Sequence, residues 1–319
     1  RCWRRCWAGH SCPAEREGRI SDGWQVVLSR QAQAMSNMSF RDKLHAAQQR
    51  NRSWLCVGLD PDPLRMPALP ELAGAAGLAT FCKAIVAATH DLACAFKPNL
   101  AFYLAHGADG IRALQEALAV IPPDIPVILD AKVGDIGNTQ RLYGQAAFET
   151  LGADGLTVSP YVGEDAVVPL LEGYPGRGLF ILARTSNPDA RRFQDYPGQP
   201  PHLYEEVAAA ARRWAAAYPP STVGLVVGAT YEAELESLRR QAPELPFLVP
   251  GIGPQGGTLE AAVRFGATVE GTGPLINASR AVIHASNDLD YADAARRAAL
   301  QLKEAINRLR EASSGERGM

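Results

Sequence analysis

From Trp54 onward, short apolar runs alternate with longer stretches in which apolar residues recur every three or four positions. The short runs have the length of strands, and the periodic stretches read as amphipathic helices. Leu55–Leu59 reads as a strand that ends at Asp60, and Leu78–Asp91 as a helix. Ala93–Phe96 reads as a strand running into Lys97, Pro98 and Asn99. Gly110–Val120 follows as a helix, then Val127–Leu129 as a strand and Thr139–Leu151 as a helix. The second half repeats the pattern. Gly155–Val158 leads to Ser159-Pro160, and Leu179–Leu182 to Arg184-Thr185-Ser186. Leu203–Ala217 is an Ala-rich helix, Val223–Val227 a strand ending at Gly228, and Phe247–Val249 a strand leading to Pro250. The last strand falls on Thr268–Glu270 or Leu275–Ala278. The second is preferred, because it runs into Ser279-Arg280. Ala292–Leu309 is a long terminal helix.

Eight such strand–helix units predict an α/β fold, a single (β/α)8 TIM barrel. A doubly wound open sheet shows the same alternation and is the runner-up. The polar residues separate the two. Asp60, Lys97, the Asp130/Lys132 pair, Ser186, Gln255 and Arg280 fall at the C-terminal ends of six different strands. A barrel gathers them at one mouth, where barrel active sites lie; an open sheet spreads them along an edge.

Composition changes this picture little. The 319 residues are 47% hydrophobic and 21% charged, enough for one large core. With 32 basic and 34 acidic residues, bulk charge gives no reason to expect nucleic acid or an anionic membrane. No apolar run approaches the roughly 18 residues of a membrane helix. Cys56, Cys82 and Cys94 sit in apolar surroundings and read as buried thiols of a reduced, cytoplasmic protein.

Residues 1–34 differ from the rest. They hold Trp3, Trp7 and Trp24, and they lack the continuous apolar core of a secretory signal. Cys2, Cys6, His10 and Cys12 match no standard zinc spacing. Met35 and Met38 are candidate starts. The expected organisation is a non-native or disordered extension over residues 1–38 and one barrel domain over residues 39–319.

The chemistry concentrates in Val127-Ile-Leu-Asp-Ala-Lys-Val-Gly-Asp-Ile-Gly-Asn-Thr139. Residues two apart on a strand share a face, so Asp130 and Lys132 are expected side by side. Asp135 follows on the loop. An ion pair capping the strand, with Thr139 as a helix N-cap, explains only part of this. Charge inside an apolar strand is costly unless it is paired or used. Pro250-Gly-Ile-Gly-Pro-Gln-Gly-Gly257 is a glycine-rich loop of the kind that binds phosphate through backbone N–H groups, although a tight turn also needs glycine. Arg280, after the next strand, offers bidentate donors to the same group.

Asp-x-Lys-x-x-Asp followed by Ile-x-Asn-Thr resembles the signature of orotidine 5′-phosphate decarboxylases. Its glycine spacing, with Arg184-Thr-Ser-Asn-Pro188, is similar to the long bacterial branch of that family. The resemblance runs over about residues 39–312. It implies conversion of orotidine 5′-monophosphate to uridine 5′-monophosphate (UMP) and CO2, the last step of de novo UMP biosynthesis, with no cofactor and no metal. It also implies catalytic roles for Lys132, Asp130, Asp135 and Lys97. Asp60 matches a ribose-holding carboxylate, Ser186 a pyrimidine contact, and Gln255 and Arg280 phosphate ligands. Asp135 and Thr139 match residues that enter the neighbouring subunit's site, so a homodimer with shared sites is expected. Asp-x-Lys-x-x-Asp by itself also occurs in related sugar-phosphate decarboxylases and aldolases, which are expected to need a divalent metal. A Schiff-base enzyme using Lys132, or a non-catalytic sensor of phosphate ligands, also stays open on the residues alone.

Overall fold

The computed structural model describes residues 38–252, 258–270 and 272–316. Cys2, Cys6, His10, Cys12 and Gln255 lie outside them, as does the 1–38 extension save Met38. Eight parallel strands form the barrel: β1 Leu55–Leu59, β2 Ala95–Pro98, β3 Ile128–Val133, β4 Gly155–Val158, β5 Gly178–Arg184, β6 Thr222–Val227, β7 Phe247–Val249 and β8 Leu275–Ala278. Their order is β2-β1-β8-β7-β6-β5-β4-β3. Parallel bridges Phe96↔Val127 and Asn99↔Asp130 join β2 to β3 and close the ring. The barrel expectation therefore holds and the open sheet does not. The last strand is Leu275–Ala278, as preferred.

Strand residues alternate between two apolar cores. One face packs Leu55, Val57, Leu59, Leu156, Val158, Leu225 and Val227 against the surrounding helices. The other packs Cys56, Ala95, Ile128, Phe180, Val226, Leu248 and Leu275 inside the barrel. Burial on both sides is why the strands read as continuous apolar runs rather than an alternating pattern.

A helix that the periodic reading did not assign, Phe40–Arg50, closes the N-terminal end of the barrel. Ser39 caps it, its hydroxyl accepting from the Asp42 N–H. Phe40 packs edge-on against Phe180 with ring centroids 5.5 Å apart. A side chain at Gly178 would meet the Phe40 ring at 2.7 Å, so β5 must begin with glycine there. Lys43 pairs with Asp154 at 2.7 Å and ties the plug to the start of β4.

Several boundaries differ from expectation. Strand β3 continues through Asp130 and Lys132 to Val133, and β5 continues to Arg184. The helix after β3 spans Gly137–Gly144, runs on as a π-helical turn over Gln145–Thr150, and starts from Ile136. Thr139 is therefore inside its first turn and is not the N-cap. The 187–201 stretch, whose Pro, Gly, Asp and Arg content reads as a long surface loop, has short helical pieces. It holds a 3-10 turn, Pro188–Ala190, and a helical turn, Arg191–Gln194. Among the described residues no helix is long and apolar enough to cross a membrane.

Candidate active site

Two lysines flank one carboxylate at the C-terminal ends of β2 and β3. Lys97 Nζ lies 2.8 Å from Asp130 Oδ2, and Lys132 Nζ lies 2.6 Å from Asp130 Oδ1. The side chains of Lys97 and Asp130 are 5% and 10% exposed and line the cleft at the mouth, while that of Lys132 is 49% exposed and is not among the cleft's lining residues. Burial alone pushes the Asp130 carboxyl up, but the ammonium groups of Lys97 and Lys132 outweigh it and hold the group at about 2. For Lys97 burial opposes the charge, and the carboxylates of Asp60 and Asp130 overcome it, so its ammonium titrates above its ordinary value. Asp130 and Lys97 are thus both ionised at neutral pH.

Asp130 and Lys132 do share a side of the strand, but not through simple alternation. Between Leu129 and Val133, β3 advances four residues while β4 advances two, from Leu156 to Val158. The slack forms a bulge, and Lys132 takes φ +49° within it. A lysine in this left-handed region is strained, by roughly 1–3 kcal/mol, and persists only where its surroundings fix it. Thr157 provides that restraint. Its buried hydroxyl accepts from the Lys132 N–H and donates to Asp130 Oδ1, both at 2.9 Å. Nothing in the sequence marked Thr157, which lies between apolar residues of β4 and becomes significant only through the cross-strand register.

A cleft of about 610 Å³ opens at the same mouth. Asp60, Lys97, Asp130, Ser186 and Arg280 all line it, so five of the expected site residues converge from five different strand ends. Arg65 and Asn277 line it too and were not anticipated. Asp60 Oδ1, Asn277 Oδ1 and Ser279 Oγ are buried with no protein hydrogen-bond partner. Buried acceptors normally find donors, so these atoms suit a ligand bearing hydroxyl groups. Arg280 begins a short helix, Arg280–Ile283, directly after β8. Its exposed guanidinium makes no ion pair among the described residues. A second cavity, of about 450 Å³, lies beside the plug helix near Leu44, Gln48 and Thr222, away from this constellation.

Two expected residues do not join the cluster within the chain. Asp135 Oδ1 accepts from the Ile136 N–H, and the Asp135 N–H donates to Gln140 Oε1. Thr139 is exposed on the following helix. Around them Ile136, Leu142, Tyr143, Tyr161 and Val162 are exposed, Tyr161 to 83%.

The chain matches the family model described as "Orotidine 5'-phosphate decarboxylase / HUMPS family" over residues 53–295. It is 48% identical over 290 residues to the orotidine 5′-phosphate decarboxylase of Thermomicrobium roseum, covering 88% of this chain and 99% of that protein. It is 49% identical over 277 residues to the enzyme of the same name from Cupriavidus metallidurans, covering 86% and 99%. Among solved structures it resembles the Leishmania donovani OMP decarboxylase, with TM-score 0.73 and 40% identity, covering 86% of this chain and 99% of that one.

Proposed function

Because this chain belongs to the orotidine 5′-phosphate decarboxylase family, we infer that it converts orotidine 5′-monophosphate to UMP and CO2, the last step of de novo UMP biosynthesis. The observation that carries this reading is the Lys97–Asp130–Lys132 row, of which Lys97 and Asp130 line a cleft that also holds Arg280.

Loss of the carboxylate from C6 leaves an sp² carbanion that no π-system delocalises. The site must then stabilise the charge electrostatically, with groups already in place. In this reading the Lys132 ammonium, paired with Asp130 at the edge of the cleft, faces the developing charge. It then delivers a proton to C6, so the C–C bond electrons end in a new C–H bond. Asp130, held as carboxylate by two ammonium groups, keeps Lys132 charged and oriented, and its negative charge disfavours the substrate carboxylate beside it. Lys97 and Asp60 take the ribose hydroxyls, Ser186 the pyrimidine, and Arg280 with Gln255 the phosphate. Binding energy from the phosphate and ribose is then available at the reacting carbon.

The protein acts as a two-fold dimer in this reading. Asp135 and Thr139 do not line their own cleft, and the loop and helix that carry them also expose Ile136, Leu142 and Tyr143, with Tyr161 and Val162 exposed after β4. A patch of this kind suits an isologous interface that carries both residues into the partner's site. The buried free thiols of Cys56, Cys82 and Cys94 suit a reducing compartment, the cytoplasm.

Purified protein is expected to consume orotidine 5′-monophosphate in excess chelator, read as loss of absorbance. No turnover, or turnover only with added divalent metal, overturns the reading. Arg280→Ala is expected to raise KM and lower kcat together, with about a 100-fold loss in kcat/KM, because phosphate binding energy is used in the transition state. Steady-state kinetics check this. Constants near wild type would remove Arg280 from the phosphate site.

A further inference from the structure

Ser186 lies just beyond β5 and is held from two sides. Beneath it, Gly228 leaves room that a side chain would fill, since a Cβ there would come within 2.9 Å of the Ser186 Cβ and backbone nitrogen. Above it, the 187–201 segment folds back and presents Gln194. The Gln194 carboxamide makes three hydrogen bonds to the two residues preceding Ser186. Its Oε1 accepts from the Thr185 N–H at 2.9 Å and from Arg184 Nη1 at 3.2 Å. Its Nε2 donates to Thr185 Oγ1 at 2.8 Å. The backbone N–H can only donate, so the orientation of the carboxamide is fixed by its partners.

Arg184 is fully buried, which is costly for a guanidinium unless its surroundings compensate it. Nη2 lies 3.3 Å from Asp195 Oδ1 and 3.7 Å from Glu234 Oε1. The guanidinium also stacks over Tyr231, 4.3 Å from the ring centroid. Arg184 does not line the cleft. It joins the end of β5, the helical turn Arg191–Gln194 and the helix Glu232–Gln241 into one rigid corner.

We propose that Gln194, oriented by Arg184, is the positioning residue for Ser186, so that the 187–201 segment sets how the cleft holds the base of its nucleotide. This rests on the nucleotide reading above. Gln194 touches no ligand itself. It removes the backbone freedom of Thr185 and thereby fixes where the Ser186 hydroxyl stands.

The test compares two ligands by calorimetry, UMP and ribose 5-phosphate, which lacks the base. Gln194→Ala is expected to weaken UMP about tenfold and to leave ribose 5-phosphate within about twofold of wild type. Ser186→Ala is expected to show a similar base-dependent loss, and Gln194→Ala added to it no further loss, because the two act in series. Gln194→Glu keeps both acceptor bonds and is expected to bind UMP within about threefold of wild type. Equal losses for both ligands, an additive double variant, or a glutamate variant as weak as alanine each overturn the proposal. Turnover of orotidine 5′-monophosphate by wild type in the same preparation separates the two readings. Without it the nucleotide assignment and the proposal fall together; with it, UMP binding unchanged in Gln194→Ala overturns the positioning role of Gln194 alone.

Discussion

Lys132→Ala is expected to leave the protein folded and to cut kcat by at least about 10⁴-fold, since one group supplies both charge stabilisation and the proton. The fold should survive because the Lys132 side chain is half exposed, and because Asp130 keeps the Lys97 ammonium and the Thr157 hydroxyl. The pH dependence separates the catalytic loss from a structural one. In wild type the Asp130 carboxyl is held at about 2, against 3.8 for an unperturbed group. Its stabilising contribution, about 2 kcal/mol, is complete above pH 4 or so and is lost as pH falls toward 2. Removing Lys132 takes away one of the two attractions, so the folded-state value rises and part of that stabilisation is lost at neutral pH, while the difference from wild type narrows as pH falls toward 2. At pH 7 the melting temperature should therefore fall modestly, with a loss of no more than about 1 kcal/mol of stability because the Lys132 side chain is half exposed, while turnover disappears. Thermal melts at pH 7 and pH 3, set beside single-turnover kinetics, check both halves. More than about 1% of wild-type turnover in a folded Lys132→Ala protein would falsify the assignment of Lys132 as the proton donor.

Mixing two inactive variants, Lys132→Ala and Asp135→Ala, is expected to restore activity. Asp135 makes no ion pair with Lys132 within the chain, it does not line the cleft, and its loop and the following helix expose Ile136, Leu142 and Tyr143. If that loop completes the partner's site, each mixed dimer has one site with both lesions and one with neither. Random pairing then returns roughly a quarter of wild-type activity per total site, by symmetry alone. If each site is built within one chain, every site keeps one lesion and the mixture stays inactive. The measurement is turnover against time after mixing, with subunit exchange followed by a tag on one variant. Exchange without recovery sinks the shared site and leaves the chemistry of Lys132 untouched.

The periodic pattern located all eight strands, because a strand buried on both faces must be apolar along its length and stands out between helices. It missed the plug helix Phe40–Arg50, whose polar residues outnumber its apolar ones and whose buried side is short. Its significance comes from Phe40 meeting Phe180 and Gly178, contacts far apart along the chain. The charges of the site were visible because Asp130 and Lys132 interrupt an apolar run, and Arg280 because it directly follows a strand. Thr157 and Asn277 were not visible. A threonine or asparagine in a strand is unremarkable until the barrel closes and fixes what stands opposite. Arg184 was read as part of a motif, and its role as a buried anchor depended on Tyr231, Asp195 and Glu234 arriving from elsewhere.

The sequence by itself determined the (β/α)8 architecture, the family, and most of the residues that line the mouth. Those follow from local properties: side-chain period, charge set into apolar runs, and motif spacing. Only the tertiary structure decided how Lys132 reaches Asp130. Simple alternation along β3 placed them side by side, whereas the structure brings them together through a bulge with Lys132 at φ +49°, clamped by Thr157. A bulge arises from the mismatch between two strands, here four residues of β3 against two of β4, and no single strand records its partner's register.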